Sequence, residues 1–195
     1  DVPANATLLG AAPAGVYLAA DDVLLQLSPA GSVTEVGVPP AAVTTLHSDG
    51  SGQLWVGTRA NAYRLEAGSN WRPYDALSEL PSNEIRDLLE TPSGIWSGTS
   101  DGVLRYDGSG WQTYGSGDGL PSNAVSGLAT TPTGEVWAAF DKATLGVSRF
   151  RQDGWETTIC DLNAPPSRVV HDGVQAAAGT IWLATDSGLA QLETD

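Results

Sequence analysis

Three observations predict an all-β fold for this 195-residue chain. Its apolar residues fall in short runs that alternate with polar ones, the period of a strand rather than of a helix. Gly, Asp, Asn, Ser or Pro bounds each run, and 23 glycines and 12 prolines supply turns throughout. The whole pattern then recurs at intervals of about forty residues, a period that marks a repeat architecture.

Aligning the chain on the aromatic of the second apolar run puts Tyr17, Trp55, Trp96, Trp137 and Trp182 in register. Five repeats result, spanning approximately 1–37, 38–78, 79–117, 118–162 and 163–195. A proline leads each one (Pro3, Pro39, Pro81, Pro121, Pro165), twice within an intact "LPSN", at Leu80 to Asn83 and Leu120 to Asn123. The first run follows, clearest as Val43 and Leu46, Ile85 and Leu88, Val125 and Leu128. After a turn ("SDGSG", "TPSG", "TPTG") comes the aromatic run "QLWVGT", "GIWSGT", "EVWAAF" or "TIWLAT". The third run reads "VLLQL", "AYRLE", "VLRYD", "GVSRF" or "GLAQL", and the fourth "WRPY", "WQTY" or "WETTI", with a tryptophan-free version at Ser32 to Val36. Only Asp75 to Leu80 has a helical look, and that segment is short and runs into a proline.

Four antiparallel strands per repeat of this length describe the blade of a β-propeller. A single blade cannot bury both faces, so neighbours stack, and the aligned aromatics are expected to fill the space between adjacent sheets. The chain ends on the third run of the last repeat, so the predicted architecture is a five-repeat β-propeller whose last blade lacks its outer strand. The edge at Gly188 to Leu192 is then unpaired and offers free N–H and C=O groups to another strand. Two readings stay open: a piece of a longer propeller, or a subunit whose edge is capped by a partner or by self-assembly.

"GLPSNAVSGLATTPTGEVW" and "ELPSNEIRDLLETPSGIWSGTSDGVLRYDGSGWQTYGSGDGLPSN" resemble the two-component regulator propeller repeat: Leu-Pro-Ser-Asn, then Trp-x-Gly-Thr, then Gly-Leu-x-Arg-Tyr-Asp. The resemblance covers essentially the whole chain, strongest in the second to fourth repeats and weakest in the first, where Tyr17 stands for Trp. It implies a sensor-like, non-catalytic recognition or scaffolding module, extracellular or periplasmic. Members commonly close with six to eight blades, whereas five repeats are counted here.

Composition narrows the partners. Lys and Arg total 9 against 23 Asp and Glu, a net charge of -14, and Lys142 is the single lysine, so a nucleic-acid partner is not expected. No apolar run reaches the length of a membrane-spanning helix, and no membrane insertion is expected. Cys160 is alone, which rules out an intrachain disulfide. No leader pattern precedes the first repeat, which suggests a processed or excised chain; Asn5-Ala6-Thr7 fits the glycosylation sequon.

Candidate binding residues lie where turns between second and third strands gather: Asp22, Arg59, Asp101, Asp141 and Asp186. Their carboxylates suit a cation or a cationic ligand, although aspartate is also an ordinary turn residue. Asn83 and Asn123 in the "LPSN" linkers are expected to bond local backbone, with ligand contact as the alternative. Arg64, Arg105 and Arg149 share one third-strand position that Gln26 and Gln191 take in the other repeats, and pairing with neighbouring Asp is the expectation. His47 and His171 fall at different repeat positions, and no phosphate loop, Cys/His metal spacing or "GxSxG" occurs. No catalytic residue, metal or cofactor is assigned. The expected partner is a protein, a small molecule or a glycan; the alternatives are a subunit of an extracellular filament and a small propeller lyase using His171.

Overall fold

The computed structural model describes residues 7–12, 14–20, 23–37, 42–48, 52–66, 70–74, 84–131, 133–140, 146–158, 170–175, 180–185 and 188–193. These residues form antiparallel sheets with almost no helix. The first sheet runs β1 (Thr7–Ala12), β2 (Gly15–Ala20), β3 (Val23–Leu27), β4 (Val33–Glu35), and the second β5 (Val43–Ser48), β6 (Leu54–Thr58), β7 (Ala62–Glu66), β8 (Asn70–Tyr74). The third holds β9 (Ile85–Thr91), β10 (Gly94–Thr99), β11 (Gly102–Tyr106) and β12 (Trp111–Tyr114). The fourth holds β13 (Val125–Thr130), β14 (Val136–Phe140), β15 (Val147–Arg151) and β16 (Gly154–Thr158), and the fifth only β17 (Val170–Gln175), β18 (Thr180–Thr185) and β19 (Gly188–Glu193). Within every sheet the spatial order follows the chain, the meander expected of propeller blades. Asp75 to Leu80 and the repeat-leading prolines other than Pro121 lie outside the described residues.

Among the described residues one departure from an all-strand pattern is a 3-10 turn at Ser116–Asp118. The Gly115 N–H donates to the Asp118 carboxylate at 2.8 Å, and Gly119 follows at φ 101°. A short acidic side chain turned back on the backbone holds the turn, and glycine accepts the left-handed exit.

The first strands carry a recurrent irregularity. Register shifts fall between Leu8 and Gly10, Val43 and Thr45, Val125 and Gly127, and Val170 and Asp172. The bulge takes the same place in the second, fourth and fifth sheets and lies two positions nearer the aromatic in the first, and it strengthens the local twist of each of these first strands.

Burial also departs from simple alternation. The second strands "LWVGT" and "VWAAF" are buried at every position, because both faces of a strand near the inside of a stacked sheet are covered. Fourth strands are mostly exposed, except for Tyr74 and Tyr114, which end β8 and β12, and Trp155 in β16, which are buried.

The described chain divides into two compact units, Asp1–Glu90 and Thr91–Asp195. In the first, Tyr17, Leu24 and Val36 pack with Leu46, Leu54, Val56 and Tyr63, with Val43, Leu65 and Trp71 at the margin, so the core lies between the first two sheets. Ile85 closes against Gly57: a Cβ there would stand 2.3 Å from the Ile85 methyl and 2.7 Å from that of Thr45. In the second unit the core is aromatic. Trp96 and Tyr114 of the third sheet stack at 5.9 Å, and Phe150 and Trp155 of the fourth sheet meet Trp96 edge-on at 4.9 and 6.1 Å. The two sheets approach closely enough that a Cβ on Gly98 would lie 2.9 Å from Val125. The glycine of "W-x-G-T" therefore makes room for the first strand of the next sheet.

Candidate functional site

In the second and third repeats the turn between second and third strands is built by the threonine that ends the second strand. Thr58 Oγ1 donates to the Asn61 carbonyl at 2.8 Å and accepts from the N–H groups of Ala60 and Asn61 at 3.2 and 2.9 Å. Thr99 does the same work in the next repeat, donating to the Gly102 carbonyl at 2.9 Å and accepting from the Asp101 N–H at 3.0 Å. A hydroxyl that can donate and accept at once closes a tight turn without an extra residue. Arg59 and Asp101 are exposed on these two turns. Asp22, Asp141 and Asp186 lie outside the described residues.

Asn123 lies in the linker from β12 to β13. Its side-chain oxygen accepts from the Ser116 N–H at 2.8 Å, and its carbonyl accepts from the Val125 N–H at 3.0 Å. Ser122 Oγ accepts from the Ala124 N–H at 3.1 Å. In this linker, Ser and Asn fix the step from one sheet to the next by local hydrogen bonds. Asn83 lies outside the described residues.

The third-strand arginines find a different partner from the one expected. Each stands directly across from the aromatic of its own repeat: Trp55 with Arg64, Trp96 with Arg105, Trp137 with Arg149. Their guanidinium carbons lie 5.6, 5.4 and 5.8 Å from the respective ring centroids. For two of them the paired acid is a glutamate, Arg64 with Glu66 at 3.0 Å and Arg149 with Glu156 at 3.3 Å, rather than the aspartate that the sequence suggested. The correction has a physical cause. Strand pairing sets the arginine over the indole, and the ring face attracts a cation at short range; toward Asp107 in the next turn Arg105 adds only a minor coulombic pull.

Arg105 makes one further bond, from Nε to the Ser93 carbonyl at 3.1 Å in the turn between first and second strands. Gln26 donates from Nε2 to the Ala14 carbonyl at 3.0 Å in the corresponding turn of the first repeat, opposite Tyr17. Arginine and glutamine thus alternate at one position because either can reach that carbonyl. The constant interval from the aromatic to this position, kept in every repeat except that of Trp137, was the available sequence signal.

Among the aligned aromatics, Tyr17, Trp55, Trp96 and Trp137 are buried, and Trp182 is half-buried. The Trp96 N–H donates to Thr91 Oγ1 at 3.0 Å, and that of Trp137 to the Glu135 carboxylate at 3.3 Å. Burial pushes the Tyr17 hydroxyl above its ordinary range. It does the same to Tyr114, where the Arg105 charge pulls in the opposite direction. Asp107, in the turn from β11 to β12, is held down at about 2 by the Ser109 hydroxyl and by the N–H groups of Ser109 and Gly110. Among the described residues no three His, Cys, Asp or Glu side chains gather as a metal cluster. His47 lies in β5 and His171 in β17. No helix among the described residues is long and apolar enough to cross a membrane.

No protein-family model matches the chain, and no curated protein matches it. Solved structures do. Over 98% of its length it is similar to an extracellular domain assigned to the hybrid two-component system BT4673 of B. thetaiotaomicron, with 19% identity and a TM-score of 0.77. The corresponding domain of BT3049 from the same organism matches over 97% of the chain at 15% identity and a TM-score of 0.76. Virginiamycin B lyase from Staphylococcus aureus matches over 95% of the chain at 17% identity and a TM-score of 0.70. The chain spans 27% of each of the two sensor domains and 69% of the lyase. At these identities the matches establish a propeller-like fold, shared by extracellular sensor domains and by an enzyme.

Proposed function

We propose that this chain is a non-enzymatic, extracytoplasmic recognition or protein-interaction module built from five two-component-regulator-type propeller repeats. The observation that carries this reading is the similarity to two extracellular sensor domains along nearly the whole chain, at higher TM-scores than the lyase gives. The repeat motifs support it. The residues that the motifs share, Trp, Gly, Thr, Arg and Asn, are each engaged in packing, turn closure or linker bonds where they are described. A scaffold whose repeated residues are occupied structurally leaves exposed turns, such as that of Arg59, as the natural place for ligand contacts.

The lyase match supplies the rival and the test. Purified chain is incubated with a streptogramin B antibiotic and magnesium, and ring opening is followed by mass spectrometry. The expected result is no turnover. Turnover that disappears in His171→Ala would overturn the reading, as would recovery of the native protein only from the cytoplasm on cell fractionation.

A further inference from the structure

The second sheet differs from the first, third and fourth in what its third-strand cation faces. Across the outer strand pair Gln26 stands opposite Thr34, Arg105 opposite Gln112 and Arg149 opposite Glu156, whereas Arg64 stands opposite Arg72. Like charges directly across an antiparallel pair destabilise it, and the fourth sheet shows that a carboxylate fits the same place. One acid serves both arginines: Glu66 Oε1 accepts from Arg64 Nη2 at 3.0 Å and stands 3.7 Å from Arg72 Nη1. The group as a whole is left positive in a chain whose net charge is -14.

The floor beneath the arginines sharpens their repulsion. Trp55 and Tyr74 are buried with ring centroids 5.0 Å apart, and the guanidinium carbons lie over Tyr74 at 5.8 Å for Arg64 and 5.3 Å for Arg72. Apolar rings on one side lower the effective dielectric, so the two charges are screened less than on an open surface. Arg64 is also less committed than its counterparts. Arg105 gives its Nε–H to the Ser93 carbonyl and Arg149 gives its own to Glu156, whereas Arg64 Nε is buried with no hydrogen-bond partner. Both side chains reach solvent, 27% of Arg64 and 57% of Arg72 being exposed.

We propose that Arg64 and Arg72 form a binding site for a carboxylate carried by a small ligand. A planar group with two acceptor oxygens matches guanidinium donors, and its arrival balances the two cations with two anions. Glu66 fills part of this role already, which makes it an internal competitor. Its 3.7 Å approach to Arg72 is longer than a hydrogen bond and yields to a ligand oxygen. A singly charged group suits the site best, because a strongly negative chain repels a dianion such as hydrogen phosphate more than a monoanion. The site lies on the third and fourth strands of the second sheet, away from the exposed turn of Arg59.

The test follows the arginine Nε–H resonances of the 195-residue chain by proton–nitrogen NMR at low ionic strength, while D-glucuronate, N-acetylglycine, glucose, inorganic phosphate or chloride is added. Saturable shifts of the Arg64 and Arg72 signals are expected with either carboxylate, none with glucose, and weaker ones with phosphate and chloride. A preference for glucuronate or for N-acetylglycine supports the site and tells a sugar acid from an amino-acid derivative. Arg64→Gln and Arg72→Gln copy residues that the same fold carries as Gln26 and Gln112, and each should weaken carboxylate binding about 10-fold or more. Glu66→Gln should tighten it about 3- to 10-fold. Without ligand, Arg72→Gln should melt no lower than the unaltered chain, since a like-charge contact is gone. The proposal is overturned by no saturable shift with either carboxylate, by phosphate or chloride binding as well as they do, by binding indifferent to Arg72→Gln, or by no tightening in Glu66→Gln. A lower melting temperature in Arg72→Gln would show that the pair serves the fold and overturn it too. The recognition-module reading gives the site its use, and the two fail separately. Streptogramin turnover defeats that reading and leaves carboxylate binding standing; a folded chain that ignores both carboxylates defeats this proposal alone.

Discussion

Arg105 lies with its guanidinium carbon 5.4 Å from the Trp96 ring centroid while its Nε donates to the Ser93 carbonyl at 3.1 Å. One side chain thus covers the outer face of a buried indole and ties down the turn that leads into the strand bearing it. The arrangement links packing to turn geometry, and Gln26 makes the corresponding turn bond opposite Tyr17.

A graded response at Arg105 is therefore expected. Arg105→Ala loses both the ring contact and the turn bond and should destabilise the protein by about 1–2 kcal/mol. Arg105→Gln keeps a donor of the kind Gln26 provides and should lose about half as much. Arg105→Lys keeps the charge and loses the planar fork, so it should fall nearer to alanine than to glutamine. Urea unfolding at constant m-value measures all three; a glutamine variant no better than alanine would show that the turn bond contributes nothing.

Substitution of the motif glycines tests how closely the sheets approach. A Cβ at Gly57 would meet the Ile85 side chain at 2.3 Å, and one at Gly98 would meet Val125 at 2.9 Å. Gly57→Ala should therefore cost about 1–3 kcal/mol through overpacking, and Gly98→Ala less. Thermal denaturation of the two variants should give that order, and equal melting temperatures would contradict the spacing. Ala139 and Ala184 at the matching positions of the last two repeats should accept Gly without steric cost.

Acid should act on one turn in particular. The Asp107 carboxyl is depressed to about 2 in the folded chain, chiefly by the Ser109 hydroxyl. A lowered folded pKa stabilises the native state above the unfolded value, near 3.8, and that contribution is lost as pH falls toward 2. Carbon-detected NMR titration should find Asp107 among the last carboxylates to protonate. In Ser109→Ala its midpoint should move up toward the ordinary range, with the backbone bonds keeping part of the depression. An unchanged midpoint would remove the hydroxyl as the main cause.

The repeats, their aromatic register and their division into short strands were legible because each depends on local chemistry: period-two burial, turn residues and a proline or glycine at fixed places. The role of Asn123 as a linker clamp was legible for the same reason, since its bonds reach only neighbouring backbone. The arginine column was visible, but its partner was not. Arg105 and Trp96 meet across a strand pair, and the identity of the facing ring depends on register, which only the folded sheet displays. The second strands were read as alternating, yet "IWSGT" is buried at every position, Ser97 and Thr99 included.

By itself, the sequence determined that this chain folds as repeated antiparallel sheets and where the described turns fall, since those choices are made within a few residues by backbone sterics and side-chain hydrogen bonds. Tertiary structure alone decided that the motif glycines, Gly57 and Gly98, are points of close sheet approach and that cations cover the buried indoles. Those are properties of packing between strands distant in sequence, and no local preference encodes them.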